Sequence, residues 1–229
     1  MKLVQATAYV FLFQCLFVQT LYANDSGSFD AYPRAGVGLN WLAYTRLDNT
    51  DLDAYYTTIN VGLSLNYQQF YFDIGGEILG IDNVEKAGEI TGVEREDITA
   101  TIGYFPGYDT SVFVGYTVGE TKDDFKGEFH EDRGFFVGAG YGYLHDDINY
   151  AFTLAYANLD GKISVDELPA ENTNGKTSGF SYGFILTGPF RETMGYNVGI
   201  KIRRYFYKVD GTGEETAKLI TSVVLGLAF

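Results

Sequence analysis

The side chains in this sequence that could do chemistry together are charged residues separated by even numbers of positions. Asp73 and Glu77 form one such pair, and Lys201 and Arg203 form another. Residues at even spacings point to the same side of an extended strand. Opposite charges on one side can pair as buried ions, or they can line a polar passage that selects small solutes. The full set is Arg34, Arg46, Asp73, Glu77, Asp97, Lys201 and Arg203.

Histidine supplies a second candidate chemistry. His130 is followed by Glu131 and Asp132, and we expect this group to lie in a loop. A histidine beside carboxylates could act as the general base of a hydrolase, although a loop histidine among acids is usually solvated. The other histidine of the exported chain, His145, lies in a predicted turn. The sequence therefore assigns no catalytic residue.

A third pattern concerns oxygen ligands for a metal ion. Residues 158–167 match the latter part of a calcium-binding EF-hand loop. The first loop position falls on Tyr156 rather than on an aspartate, and no helical pattern flanks the segment. We expect a weak calcium site at best, formed by Asn158, Asp160, Ser164 and Glu167, and no other metal site.

Alternating glycines give a superficial likeness to a nucleotide-binding loop. Gly138, Gly140 and Gly142 stand at every second position of an apolar segment, and no helix is predicted after them. They therefore indicate small residues on one face of a strand rather than a phosphate cradle. No cofactor is expected.

Composition restricts the remaining classes of protein. The 229 residues carry a formal net charge of −14, which argues against a nucleic-acid partner because phosphates are bound by basic surfaces. The chain has 19 Tyr, 18 Phe and 28 Gly but only four Pro, a composition typical of strands rather than helices. Cys15 is the only cysteine, so neither a disulfide framework nor a thiolate metal site is expected.

The first residues predict export from the cytoplasm. Lys2 gives a short positive start, the stretch 8–18 is largely apolar, and Leu21-Tyr22-Ala23 precedes the polar Asn24. This is the pattern of a secretory signal peptide at residues 1–23. Residues 24–229 then form one domain, and they contain no cysteine.

Apolar and small or polar residues alternate along almost all of residues 24–229. One face of each segment is bulky and almost free of charge, whereas the other carries glycines, hydroxyls and the charges named above. A bulky uncharged exterior and a polar interior are typical of a barrel that crosses a membrane with its strands. The predicted strands are 34–46, 55–67, 70–79, 95–105, 111–119, 133–144, 148–158, 178–187, 195–207 and 217–229.

The connections support the same architecture. Short links such as Gln68-Gln69 and 145–147 alternate with longer, acidic ones. Such alternation is produced by periplasmic turns and extracellular loops in an up-and-down barrel. Both chain ends then lie on the periplasmic side, which requires an even number of strands. We predict an all-β, antiparallel transmembrane barrel of ten strands, with eight as the alternative.

The last residues of the chain follow a pattern that resembles a known sequence signal. Apolar residues occupy every second position up to a terminal phenylalanine, as Val223, Leu225, Leu227 and Phe229. This resembles the C-terminal recognition strand of bacterial outer-membrane β-barrel proteins. The resemblance implies insertion by the outer-membrane assembly machinery, and it implies outer-membrane lipid and lipopolysaccharide as surroundings. It identifies no narrower family and no oligomeric state.

Three functions remain open at this point. The first is non-enzymatic: a narrow pore for small solutes, or a structural barrel of the envelope. The second is a surface interaction protein that works through its acidic extracellular loops. The third is a hydrolase at the rim, similar to the omptin proteases in strand number. However, a chain of this length is expected to lack the long strand extensions that carry the omptin cleft.

Overall fold

A computed structural model describes residues 29–45, 51–81, 83–86, 89–107, 109–123, 127–165, 172–191 and 194–228. The predicted signal peptide lies outside these residues, as do Arg46, Glu167 and Phe229. No helix among the described residues is long and apolar enough to span a bilayer.

The chain forms one antiparallel sheet that closes on itself. β1 pairs with β2 and β11, β2 pairs with β3, β3 pairs directly with β5, and from β5 onward each strand pairs with the next. Without β4, which only extends the β5 edge, ten strands form the closed barrel, as the sequence predicts. The strands are β1 (Phe29–Thr45), β2 (Asp51–Tyr67), β3 (Phe70–Ile81), β4 (Asn83–Lys86), β5 (Glu89–Tyr104), β6 (Thr110–Asp123), β7 (Glu128–His145), β8 (Ile148–Val165), β9 (Thr173–Arg191), β10 (Met194–Val209) and β11 (Glu215–Ala228).

Side chains alternate between the lumen and the outside along every barrel strand. The predicted bulky face is the outer one, where it forms a continuous apolar belt, while hydroxyl, amide and charged side chains fill the lumen. The predicted orientation of the strands is therefore confirmed. Belt residues, one from each barrel strand in chain order, are Leu39, Ile59, Phe72, Ile102, Val114, Val137, Leu154, Tyr182, Ile200 and Leu225.

The strands extend well beyond this belt at one end. β7 and β8 have 18 residues each and β9 has 19, whereas a membrane crossing needs about 9–11 residues. The expectation that long extensions are missing is wrong. Outward positions above the belt are polar, so the apolar alternation ends there although the backbone pairing continues. Exposed charges at these positions include Asp53, Glu94, Glu96, Glu120, Arg133, Asp160, Lys176, Arg204 and Glu215.

Tight turns close the opposite end of the barrel. Asp146 and Asp147 both have positive φ angles, 48° and 64°, and Gln68 has 54°. Two-residue hairpin turns with positive φ match the twist of the strands that they join. The described chain ends, near Phe29 and Ala228, lie at this same end. We call it the lower end, and the projecting strands the upper end.

Inward glycines make room for large rings inside the barrel. A Cβ atom at Gly103 would overlap the ring of Tyr71, and one at Gly115 would overlap the ring of Phe136. Gly103 and Gly115 are therefore covered by aromatic side chains from neighbouring strands. They do not leave the lumen open.

The outer belt gives a first testable prediction. Leu154→Lys places a charge on the lipid-facing side of β8 and should lower the free energy of unfolding by about 2–4 kcal/mol. Asn158→Lys lies on the same face above the belt and should cost about 0–1 kcal/mol. The measurement is guanidinium unfolding of the chain refolded in lipid vesicles. Equal costs for the two variants would contradict the position of the belt.

Charge clusters in the barrel lumen

Three groups of charged side chains lie one above another inside the barrel. The lower cluster contains Arg34, Ser64 and Asp73. The central cluster contains Glu77, Arg95, Asp97, Lys201 and Arg203. The upper cluster contains His130, Asp132, Thr177 and Lys218.

The lower cluster joins three adjacent strands. Arg34 on β1 donates to Ser64 on β2 over 2.8 Å and to the Oδ1 atom of Asp73 on β3 over 2.6 Å. The Ser64 hydroxyl also donates to Asp73. Gly62 and Gly75 leave space for the guanidinium, since a Cβ at Gly62 would overlap it. All partners come from one wall, so this cluster neutralises its charges locally.

The central cluster connects opposite walls. Arg203 projects from β10 and donates through Nη2 to Glu77 on β3 over 2.7 Å. Its Nη1 atom donates to Asp97 on β5 over 2.8 Å. The side chain of Arg203 is only 4% exposed. Of the two arrangements open from the sequence, the structure shows ion pairs that meet across the lumen.

Two further cations complete the central cluster. Arg95 binds Asp97 through Nε and Nη2, over 2.9 and 2.6 Å, and also donates to Thr121. Lys201 lies 3.5 Å from Glu77, and 41% of its side chain is exposed to the lumen. Asp97 is therefore shared by two arginines, whereas Lys201 has only a long contact.

The upper cluster is built around Asp132 of β7. Its Oδ2 atom accepts from the Lys218 ammonium over 2.8 Å, and its Oδ1 atom lies 3.1 Å from His130 Nε2 and accepts from the Thr177 hydroxyl. The His130 ring lies between the rings of Tyr44 and Tyr207, with centroids 5.9 and 5.2 Å away. The prediction of a solvated loop histidine is wrong, because the β7 strand continues through His130 and places it inside the barrel.

Burial and charge set the protonation of this cluster, which lies above the belt. Burial lowers the pKa of His130, and the positive charge of Lys218 lowers it further, against the opposing effect of Asp132. Burial alone would raise the pKa of Asp132, but Lys218 and His130 outweigh it and hold that pKa well below its ordinary value. At neutral pH the cluster therefore pairs an ammonium with a carboxylate beside a neutral imidazole.

A cavity of about 190 Å³ lies beside the central cluster. Its charged lining residues are Arg95, Asp97, Asp132, Lys201 and Arg203. The remaining lining is hydroxyl-bearing or apolar, with Thr99, Thr101, Thr117, Thr153, Ser181, Tyr205, Phe113 and Phe136 among its residues.

The proposed calcium ligands lie outside the barrel. Asn158, Asp160 and Ser164 belong to β8, which extends to Val165 rather than ending at residue 158. An extended strand spreads these three over about 20 Å, and Asp160 forms an ion pair with Lys176 of β9. The loop geometry behind the calcium interpretation is thus absent. Among the described residues, no group of three or more His, Cys, Asp or Glu side chains could hold a metal ion.

The apolar residues proposed as an assembly signal lie on the last strand. Val223, Leu225 and Leu227 point outward from β11 into the belt. The same strand closes the barrel by pairing with both β1 and β10. His145, the second histidine, is exposed at the lower end beside Asp146.

Sequence reasoning missed Arg95, His130, Asp132 and Lys218 as lumen residues. The spacing of each residue in the sequence could have revealed it, because residues an even number of positions apart point to the same face of a strand. Arg95 is so spaced from Asp97, and Lys218 from Ser222. His130 and Asp132 are so spaced from Gly138 and Gly140. The predicted strand 133–144 begins too late to include His130 and Asp132, whereas Arg95 and Lys218 lie inside predicted strands and were passed over.

Comparison with known proteins identifies the architecture. No protein-family model matches the chain, and no curated protein matches it. Among solved structures, the outer membrane protease OmpT from Escherichia coli matches with a TM-score of 0.54 and 9% identity, covering 92% of this chain and 99% of that one. The chain has the fold of a bacterial outer-membrane β-barrel.

Other solved barrels match less closely. The translocator domain of the autotransporter NalP from Neisseria meningitidis gives a TM-score of 0.47 at 13% identity, covering 90% of this chain and 89% of that one. Ail from Yersinia pestis, solved with the heparin analogue sucrose octasulfate, gives 0.35 at 11%, covering 86% of this chain and 95% of that one. At such identities the likeness concerns the fold alone. The barrel fold shared with OmpT and the apolar belt support an outer-membrane location for this barrel.

The upper cluster predicts acid sensitivity of the barrel. Because the pKa of His130 is lower in the folded state, the unfolded chain binds a proton first as pH falls below about 6.5. The free energy of unfolding should therefore decline from that pH downward, and Asp132 should add a further loss at strongly acidic pH as it protonates through its lowered pKa.

Guanidinium unfolding at pH values from 8 to 3 measures this decline. His130→Phe retains the aromatic packing but removes the titrating group, so it should abolish the decline near pH 6. His145→Phe changes an exposed histidine and should leave the decline intact. An unchanged profile in the His130 variant would contradict the assignment.

Proposed function

We propose that this protein is a non-enzymatic envelope barrel whose lumen is closed. The observation that carries the proposal is the pair of hydrogen bonds from Arg203 on β10 to Glu77 on β3 and Asp97 on β5. These bonds connect opposite walls at the middle of the lumen, where a conducting pore would need an open aqueous path. Large inward rings fill further space beside them.

The charges support closure rather than ion selection. Selective pores keep charged groups accessible so that passing ions exchange with them. Here the guanidinium of Arg203 and the carboxylates of Glu77 and Asp97 are 4%, 15% and 7% exposed. Pairing of these three buried side chains across the lumen holds the walls together and keeps them from exchanging with passing ions.

Planar-bilayer conductance of the refolded residues 24–229 tests this proposal. The wild-type barrel should give no discrete conductance steps. The double variant Glu77→Ala with Arg203→Ala removes both partners, leaves Asp97 paired with Arg95, and should produce steps.

The matched control is Asp160→Ala with Lys176→Ala, which removes an exposed ion pair from the outer surface. This variant should stay as silent as the wild type. Steps of similar size in the wild type and the control would contradict a closed lumen.

A second candidate function, surface interaction, is favoured by the uneven charge outside the barrel. Outward charges above the belt on β7–β10 are mainly basic, although the chain as a whole carries −14. On the other barrel strands most of them are acidic, including Asp53, Glu94, Glu96 and Glu120. We define the basic face as Arg133, Lys162, Lys176, Arg204 and Lys208.

The basic face lies at the level of lipid head groups. Arg133 and Arg204 are the first outward charges above the belt residues Phe135 and Ile202. Lys176 and Lys208 are direct cross-strand partners on β9 and β10. With about 3.3 Å per residue along tilted strands, the face rises roughly 15 Å above the belt. Phosphate groups of lipopolysaccharide are the anions that this position would meet.

Lipid retention tests the basic face. Arg204→Gln with Lys208→Gln should reduce the amount of lipopolysaccharide that stays bound when the barrel is extracted from lipopolysaccharide vesicles into mild detergent. Dephosphorylated lipopolysaccharide should be retained poorly by wild type and variant alike. Lys122→Gln changes an exposed cation on the acidic side and should retain the wild-type amount. Equal loss in the Lys122 variant would contradict a localised face.

The hydrolase alternative receives no support from the position of His130. Its ring is 3% exposed, and its Nε2 atom faces a carboxylate that already binds Lys218 and Thr177. This arrangement favours a structural role for the histidine in closing the upper lumen.

A further inference from the structure

The central cluster carries more positive than negative charge. Arg95, Lys201 and Arg203 supply three cations, whereas Glu77 and Asp97 supply two carboxylates. Both carboxylates are engaged at short distances by the two arginines. The Lys201 ammonium is left with a contact of 3.5 Å, so its charge is the least compensated of the cluster.

A donor of Arg203 also lacks an acceptor. The Nε atom is buried and has no hydrogen-bond partner among the described residues, although both terminal nitrogens are bonded. A buried N–H group without an acceptor costs free energy, and native proteins rarely leave one unmatched. The uncompensated ammonium and the unmatched N–H lie on the same strand, two residues apart.

Lys201 and Arg203 both line the adjoining cavity, and the Lys201 side chain is 41% exposed. Lys201 pairs across the sheet with Gly183, and Gly183 pairs with Thr153. In the neighbouring row Arg203 pairs with Ser181. A Cβ at Gly183 would overlap the Thr153 hydroxyl, so the glycine leaves room for that hydroxyl beside Lys201.

We propose that this cavity binds a small anion bearing a carboxylate or phosphate group. The anion accepts hydrogen bonds from the Lys201 ammonium and from Arg203 Nε, and Ser181 and Thr153 supply further hydroxyl donors. The volume of about 190 Å³ limits the ligand to a few heavy atoms. Because the anion lies beside the cross-lumen ion pairs and does not replace them, the proposal holds whether or not the lumen conducts.

Nuclear magnetic resonance of the refolded residues 24–229, labelled with ¹⁵N-arginine, tests the site in detergent micelles. The chain is refolded with chloride as the only anion, and sodium phosphate or sodium acetate is then titrated at constant ionic strength. The Nε–Hε resonance of Arg203 should shift in a saturable way with at least one of the two anions. Resonances of the exposed Arg133 and Arg204 should shift weakly and without saturation.

Two variants distinguish specific binding in the cavity from nonspecific attraction of anions to positive charge. Lys201→Met should weaken binding by about tenfold or more, because it removes a charged donor. Gly183→Val should abolish binding by filling the cavity while both cations remain. Lys208→Met changes an exposed cation on the same strand and should bind as the wild type does.

Other outcomes would overturn the proposal. They are an Arg203 resonance that does not respond to either anion, and equal binding by the Lys201 and Lys208 variants when both barrels fold. Folding is checked by the change in gel mobility on heating. If Gly183→Val does not fold, the comparison of Lys201→Met with Lys208→Met decides the question. The binding experiment does not measure conductance. It can therefore succeed or fail independently of the closed-lumen proposal.

Discussion

A charge inside a barrel needs a partner of opposite sign within hydrogen-bond reach, because neither lipid nor a narrow lumen solvates it well. In this chain the partners of the central charges come from opposite walls. Arg203 reaches from β10 to Glu77 on β3 and Asp97 on β5. This one side chain bridges the lumen at its middle.

The rest of the interior is arranged around this crossing. Below it, Arg34 is neutralised by Asp73 on the same wall. Above it, Asp132 holds the Lys218 ammonium, while the ring of His130 packs between two tyrosines. Inward glycines allow rings such as Tyr71 and Phe136 to lie flat against the wall. In the described part of the chain, large side chains occupy much of the interior, and a cavity lies beside the central ion pairs.

The architecture could be predicted from the sequence because lipid imposes a period of two on every strand. The ten barrel strands, their orientation and the short turns at the lower end all follow from that alternation. The upper extensions could not be found in this way. Above the belt, outward residues such as Arg133 and Arg204 are exposed to water and polar, so both faces of the strand are polar and the periodic signal disappears. His130 and Asp132 were therefore assigned to a loop although β7 contains them.

Which of the inward charges form ion pairs with one another also could not be predicted from the sequence. Alternation places Glu77 and Arg203 on inner faces, but the side chains span the lumen only if the barrel is narrow enough and no ring lies between them. That depends on packing from several strands at once. The residues that could meet were predictable, whereas the choice between a wet constriction and direct ion pairs was not.

The fold has implications for where function resides. The structure of OmpT aligns with nearly the whole of this chain at 9% identity. The upper extensions rise above the membrane belt and carry opposite charges on different sides of the barrel. In the closed barrel that we propose, contact with the surroundings is made by the outer surface and the upper rim.

The most direct test of this account is a double-mutant cycle on the free energy of unfolding with Glu77→Gln, Arg203→Met and the double variant. The account predicts that the effects are strongly non-additive, with a coupling of about 1.5 kcal/mol or more, because each single variant leaves a buried partner unmatched. Additive effects, within about 0.5 kcal/mol, would show that the two side chains do not interact across the lumen and would contradict the closed barrel.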